Sequence, residues 1–236
     1  MTRLLIMMAA VLVAPCLSAE EWTPSVPPVV AQVSLATHYL SRGFDISDGP
    51  PSPQLGAEWL WPGGMYIDGY AAKIRYFGMN AEVDATLGYR SHHGALNYDL
   101  GLYYYDYPGA DRNLHSNFAE FGSKISWGSG SVIPTLEAYV SPNYFFASGK
   151  GLFISGGVDF VLPYQITSSA RIGYVTVENN RAFIYPDYMT WLVSIAKPIG
   201  GMAFSLQVTD TSITYAQCIQ ESRCSTKVTF KVSKSF

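Results

Sequence analysis

The sequence is short of charge. Asp, Glu, Lys and Arg together make up 14% of its 236 residues, against about 25% in soluble domains. A water-soluble β-protein of this size needs a charged outer surface, so something other than water must face much of the exterior. Long apolar runs are missing as well. Residues 4–13 form an apolar stretch of ten, too short to cross a membrane as a helix, and no run of ~18 follows it. Cysteine is scarce, with three in the chain. A formal net charge of −3 carries no basic patch and so excludes a nucleic-acid partner. Apolar periodicity at 3.6 residues is absent, which excludes amphipathic helices as the main element.

What is present begins with the ends. Arg3, the apolar residues 4–13 and the small Ala19 read as an export signal over residues 1–19. Cys16 suggests lipidation, but Pro15 stands where such a site needs a small residue. Residues 20–30 are a short N-terminal segment and 31–236 the body of the chain. The closing stretch alternates apolar and polar residues up to Phe236, with Phe230 and Val232 on the apolar face. A last strand of this kind looks like the assembly signal of an outer-membrane barrel, read by the barrel-assembly machinery. Cys218 and Cys224 have five residues between them, and an oxidising compartment would let them staple a loop. Two free thiols, or half of a metal site lacking its second ligand pair, are the alternatives.

Between the ends the sequence repeats one unit: about ten residues of period-two alternation. Leu152 to Phe160 is one example and Val83 to Arg90 another. Twelve such segments are predicted, at 31–43, 52–61, 65–75, 80–91, 95–107, 116–127, 131–142, 151–162, 166–177, 187–197, 202–216 and 225–236. Tight Gly- and Pro-containing turns alternate with mostly longer links. That pattern, with an even strand count, predicts an all-β fold: an antiparallel up-and-down transmembrane β-barrel of about twelve strands. A soluble sandwich with these residues in its core has no reason to place the long loops on one side. In a barrel one face of each strand meets outer-membrane lipid. Val33, Leu35, Tyr39, Leu87, Tyr89, Leu100, Leu102, Tyr104, Leu152, Ile154, Phe160, Ile172, Trp191, Val193, Phe204, Leu206, Phe230 and Val232 are expected there. Trp59, Trp61, Tyr89, Tyr104, Trp127, Tyr174 and Phe236 are candidates for interfacial girdles.

The opposite face carries the chemistry. Alternation turns Glu58, Asp68, Glu82, Asp84, Asp99, Glu120, Glu137 and Asp159 inward, with Arg42, Arg90, Lys124, Arg171, Lys227 and Lys231. Such a lining could tune ion selectivity, or it could be a salt-bridged filling, since twelve strands fall between filled and open barrels. Strands ~4.8 Å apart and tilted about 40° give a backbone radius of roughly 12 Å, so any pore is small. Arg42 with Gly43, near the first long loop, reads as a pairing partner for a lumen carboxylate followed by a turn residue. Solute contact at Arg42 is the alternative.

Several segments resemble the TorF family of porins, formerly a domain of unknown function. Tyr39-Leu40-Ser41-Arg42-Gly43-Phe44 is similar to its early Tyr-x-x-Arg-Gly element, and Pro53-Gln54-Leu55-Gly56 to the element after it. Residues 96–109, Phe118-Ala119-Glu120, Asp210-Thr211 and Ser233 to Phe236 follow in the family's order. The Cys218/Cys224 loop departs from it. The resemblance implies a porin-like outer-membrane barrel and no particular substrate.

Three functions fit this reading. The first is a narrow outer-membrane porin for ions or small solutes with weak cation preference. It needs no cofactor and no metal. A non-conducting barrel that anchors or binds through its loops, where Tyr144-Phe145-Phe146 lies, is the second. A lipid-modifying enzyme is the third, but His38, His92, His93 and His115 form no oriented base and nucleophile in the sequence.

Overall fold

A computed structural model describes residues 29–236 apart from 50, 129 and 220. The stretch read as an export signal and most of the segment after it lie outside the described residues. The wall strands are β1 (Val29–Ala36), β4 (Ser52–Leu60), β5 (Met65–Tyr76), β6 (Met79–His93), β7 (Leu96–Asp106), β8 (Phe118–Trp127), β9 (Val132–Ser141), β10 (Gly151–Leu162), β11 (Ile166–Val177), β12 (Tyr188–Ile199), β13 (Met202–Thr211) and β14 (Lys227–Ser235). They pair in sequence order, and β1 pairs with β14 to close a twelve-stranded antiparallel barrel. Two further strands, β2 (Leu40–Ser41) and β3 (Phe44–Asp45), form a separate hairpin.

Closure leaves no wall strand as an edge, so backbone groups find partners without water. The seam is short. Five residue pairs join β1 to β14, from Gln32 with Ser235 to Ala36 with Lys231. Backbone bonds between Ala31 and Phe236 (2.9 and 3.3 Å), and Thr37 N–H donating to Phe230 O (2.9 Å), extend it at both ends.

The alternation works as read. Leu35, Leu55, Leu102, Phe121, Leu136, Ile172, Val193 and Val228 stand exposed on the outer face. Glu58, Glu82, Thr86, Glu120, Thr135, Asp159, Ser169, Thr209 and Thr229 are buried on the inner one. Trp59, Trp61, Trp127 and Phe236 are exposed near the short-turn end, and Tyr104 and Tyr174 near the long-loop end. This is a polar inside and an apolar outside, the reverse of a soluble domain.

Two strands end earlier than the periodicity predicts. The segment read as 31–43 stops as wall at Ala36, and 202–216 stops at Thr211. The first case corrects a residue. Tyr39 is buried and not lipid-facing, because after Thr37 the chain leaves the wall and turns into the lumen. Its amide donates to the Ser47 hydroxyl (3.0 Å) and its own hydroxyl to Glu82 (2.5 Å).

Leu102 sits mid-strand between Leu87 and Phe121 and is 58% exposed. Leu102→Arg is expected to cost about 2–4 kcal/mol of stability in lipid vesicles, as a charge on the hydrocarbon face does. Ser194→Arg, on the inner face, is expected to cost less. Denaturant titration of vesicle-inserted protein measures both.

Candidate functional site: the barrel lumen

Inside the wall the charges are organised in pairs. Arg90 on β6 grips Glu58 with both terminal nitrogens (3.0 and 3.3 Å) and Asp99 with Nε (3.0 Å). It also lies over the Tyr66 ring at 4.5 Å, and the Tyr66 hydroxyl donates to Asp99 (2.7 Å). Register explains the geometry. Arg90 faces Asp99 directly across β6 and β7, while Glu58 faces the like-charged Asp68 across β4 and β5. A guanidinium reaching over Tyr66 relieves that repulsion. The ring has room only because position 88 is glycine: a Cβ there would meet Tyr66 at 2.2 Å.

Lys124 faces Glu137 across β8 and β9 at 3.4 Å. Arg171 reaches both oxygens of Asp159 (2.7 Å each), and the Ser169 hydroxyl donates to the same carboxylate (2.6 Å). A buried charge persists where it is paired and hydrogen-bonded. These three clusters meet that condition in the half of the barrel toward the short turns.

Five predicted lining residues stand outside any ion pair among the described residues. Asp68, Glu82 and Asp84 lie on the adjacent strands β5 and β6, and Lys227 and Lys231 both lie on β14. Lys231 donates to the Gln54 amide oxygen (2.9 Å), which also accepts from Ser34 (3.0 Å). One oxygen of Asp84 is buried without a hydrogen-bond partner. The acids outside ion pairs are therefore grouped on one arc of the wall and the lysines outside them on another.

The long-loop end is closed by an aromatic cap. Phe44, Ile46, Tyr76, Tyr107, Phe118, Tyr144, Phe145, Phe183, Tyr185 and Tyr188 form one buried cluster with Cys218 and Cys224. Tyr144 and Phe145, read from sequence as lying in a binding loop, belong to this cluster. The Cys218–Cys224 disulfide is formed, and the Thr211 hydroxyl donates to the Cys224 carbonyl (2.7 Å). Asp187 ties one cap loop to β11. Burial raises its carboxyl pKa, but bonds from the Thr176 hydroxyl (2.7 Å) and the Val177 amide (3.1 Å) outweigh this and hold it below the ordinary aspartate value.

Beneath the cap, the β2–β3 hairpin crosses the lumen. Its two tip residues, Arg42 and Gly43, both have positive φ (47° and 94°), the requirement of a two-residue type I′ turn. Gly43 is tight against the opposite wall: a Cβ would approach Thr190 at 2.5 Å and Thr211 at 2.6 Å. Arg42, a non-glycine residue in the left-handed region, carries a cost of about 1–2 kcal/mol. Its side chain is held by Glu120 on β8 (2.5 Å) and the Tyr144 hydroxyl (3.1 Å). The guanidinium carbon also lies 4.9 Å from the Phe153 ring centroid and 5.4 and 5.6 Å from those of Tyr144 and Tyr139. Tyr139 and Phe153 as partners of Arg42, and the hairpin itself, are missing from the sequence reading, which named Tyr144 only as a loop residue. The one signal for the hairpin was Gly43, directly after Arg42.

His92 and His93 close β6 in an exposed turn, and His115 follows a short helical turn at the cap. Among the described residues no group of three or more His, Cys, Asp or Glu could hold a metal.

Residues 21–236 match the family described as "Bacterial protein of unknown function (Gcw_chp)". No curated protein matches the chain. Solved structures do. The KdgM porin in complex with disordered oligogalacturonate aligns with TM-score 0.59 at 9% identity over 88% of this chain and 98% of its own. The NanC porin aligns with TM-score 0.58 at 8% identity over 87% and 97%. LpxR from Salmonella typhimurium gives 0.51 at 11% over 88% and 99%. At these identities the likeness is one of fold. It supports the porin-like barrel that the TorF resemblance implied, but not the TorF name.

The disulfide closes a link of sequence separation 6, so its effect is on local loop order. Mass spectrometry without reductant is expected to show a joined 218–224 pair. Reduction is expected to leave the barrel's heat-modifiable band in place. Two alkylatable thiols in fresh membranes would contradict the pairing.

Proposed function

The chain belongs to the Gcw_chp family of bacterial proteins of unknown function, and from its barrel and lining we propose that it is a narrow outer-membrane porin for ions or small solutes. The observation that carries this reading is a closed barrel with an apolar exterior and an interior lined by charged, hydroxyl and amide groups. The porin neighbours supply fold-level support. The carboxylates of the lining outnumber its bases, which favours a weak preference for cations. Export by a cleaved signal, insertion by the barrel-assembly machinery and a non-enzymatic role belong to the same reading.

A second reading, a non-conducting barrel that binds through its loops, draws on the aromatic cap across the long-loop end. Planar-bilayer recording separates the two. Small currents are expected, with a reversal potential across a salt gradient that favours cations. Asp68→Asn with Asp84→Asn is expected to move that potential toward anions, because these acids have no ion-pair partner to release. Absence of current from folded barrels would select the binding reading.

Phe236 extends the seam through its bonds to Ala31, and its ring is exposed with that of Phe230. Deleting Phe236 is expected to lower the heat-modifiable folded fraction in outer membranes. An unchanged fraction would remove this residue from the assembly role.

A further inference from the structure

Arg42 is the basic residue of the lining that comes from outside the wall. It is delivered across the lumen by a hairpin, onto a site the wall already possesses. That site consists of the Glu120 carboxylate and the rings of Tyr139, Tyr144 and Phe153. Glu120 is 2% exposed, and its second oxygen, Oε1, is buried with no hydrogen-bond partner. One carboxylate oxygen is thus used by the guanidinium (2.5 Å) and the other is unspent. Aromatic faces around a cation add electrostatic attraction that grows when water is excluded. A carboxylate backed by three rings is the chemistry of a cation cage.

The occupant is not part of the cage. Tyr139 and Phe153 lie on β9 and β10, Glu120 on β8, and Tyr144 in the loop joining β9 to β10. Tyr139, Phe153 and Glu120 are paired by neighbouring wall strands and not by the hairpin. Arg42, by contrast, sits at the tip of a two-residue turn whose arms, among the described residues, pair as strands with each other alone.

We propose that this cage is a binding site for guanidinium- or ammonium-bearing solutes, with Arg42 as a built-in occupant that such a solute displaces. The proposal rests on the porin reading and gives it a solute class. In this state the site is filled by the chain itself. An entering cation competes with Arg42 for Glu120 and the rings, while Phe44, packed on Tyr185 and Tyr188, keeps the hairpin in the lumen. If the side chain fills the cage nine-tenths of the time or more, removing it strengthens ligand binding at least about tenfold, because the competent fraction rises toward one.

Ligand-observed NMR titration of folded barrels in micelles tests this with methylguanidinium and its neutral isostere methylurea. The proteins are the parent, Arg42→Ala, and Arg42→Ala combined with Glu120→Gln. Arg42→Gln stands in if the alanine variant fails to show the heat-modifiable band. Expected results are at least about tenfold tighter methylguanidinium binding on removal of Arg42, its loss on adding Glu120→Gln, and no methylurea binding to any form. Equal affinity for parent and Arg42 variants, or binding that survives Glu120→Gln, would overturn the cage. The same variants in planar bilayers keep the two ideas apart. Binding without current leaves the cage standing and rejects the porin. Current that methylguanidinium neither blocks nor binds does the reverse.

Discussion

The whole structure depends on one constraint. Each backbone N–H and C=O in the wall must find a partner on a neighbouring strand, since hydrocarbon offers none. A ring of twelve strands meets it, and the β1–β14 seam makes the ring complete. Once the backbone is satisfied this way, side chains have only two destinations. Period-two alternation sends one set outward to an apolar solvent and the other into a confined interior. The scarcity of charge in the composition follows, because half of each wall strand needs none.

The interior solves a different problem at each end. Toward the short turns, ion clusters fill the space, and each uses neighbours that strand register already provides. Arg90 on β6 reaches β7 on one side and, across β5, β4 on the other to serve two carboxylates, and Lys124 meets Glu137 with no detour. Toward the long loops the interior becomes a small conventional core of aromatic rings with a disulfide beneath its surface. The hairpin lies where the two regimes meet. Phe44 joins the aromatic side, with rings 4.7 and 4.8 Å from Tyr185 and Tyr188. Two residues earlier, Arg42 joins the ionic one.

Much of this was legible in the sequence, for physical reasons. Alternation over ten residues is a strong signal when one face must be apolar, so Leu100, Leu102, Ile154 and Val193 declared their side without a structure. The inward charges on strands were legible for the same reason. Pairing was not, because which carboxylate Arg90 reaches depends on register and on the space Gly88 leaves for Tyr66. Tyr39 was misread because the pattern of Leu35, Thr37 and Tyr39 continues across the point where the chain leaves the wall. Local pattern cannot report that departure. It follows from tertiary contacts, the Ser47 hydroxyl on the Tyr39 amide and Glu82 on its ring hydroxyl. The cap was hidden too, since an aromatic in a loop reads alike whether it faces lipid, water or other loops.

The seam has a consequence for how such a chain comes to be folded. Gln32 and Ser235, which touch through their side chains, are 203 residues apart in sequence. Hairpins along the wall are local and can form early, but the contact that completes the cylinder is as non-local as the chain permits. Its loop-closure entropy falls due last, and long-range pairings of this kind are slow. Until then the nascent sheet has two bare margins, β1 and β14, each a template for pairing with a foreign strand. A partly made barrel is therefore an aggregation hazard until the ring closes. Its survival rests on how well those two margins are shielded in transit, more than on the final stability of the product.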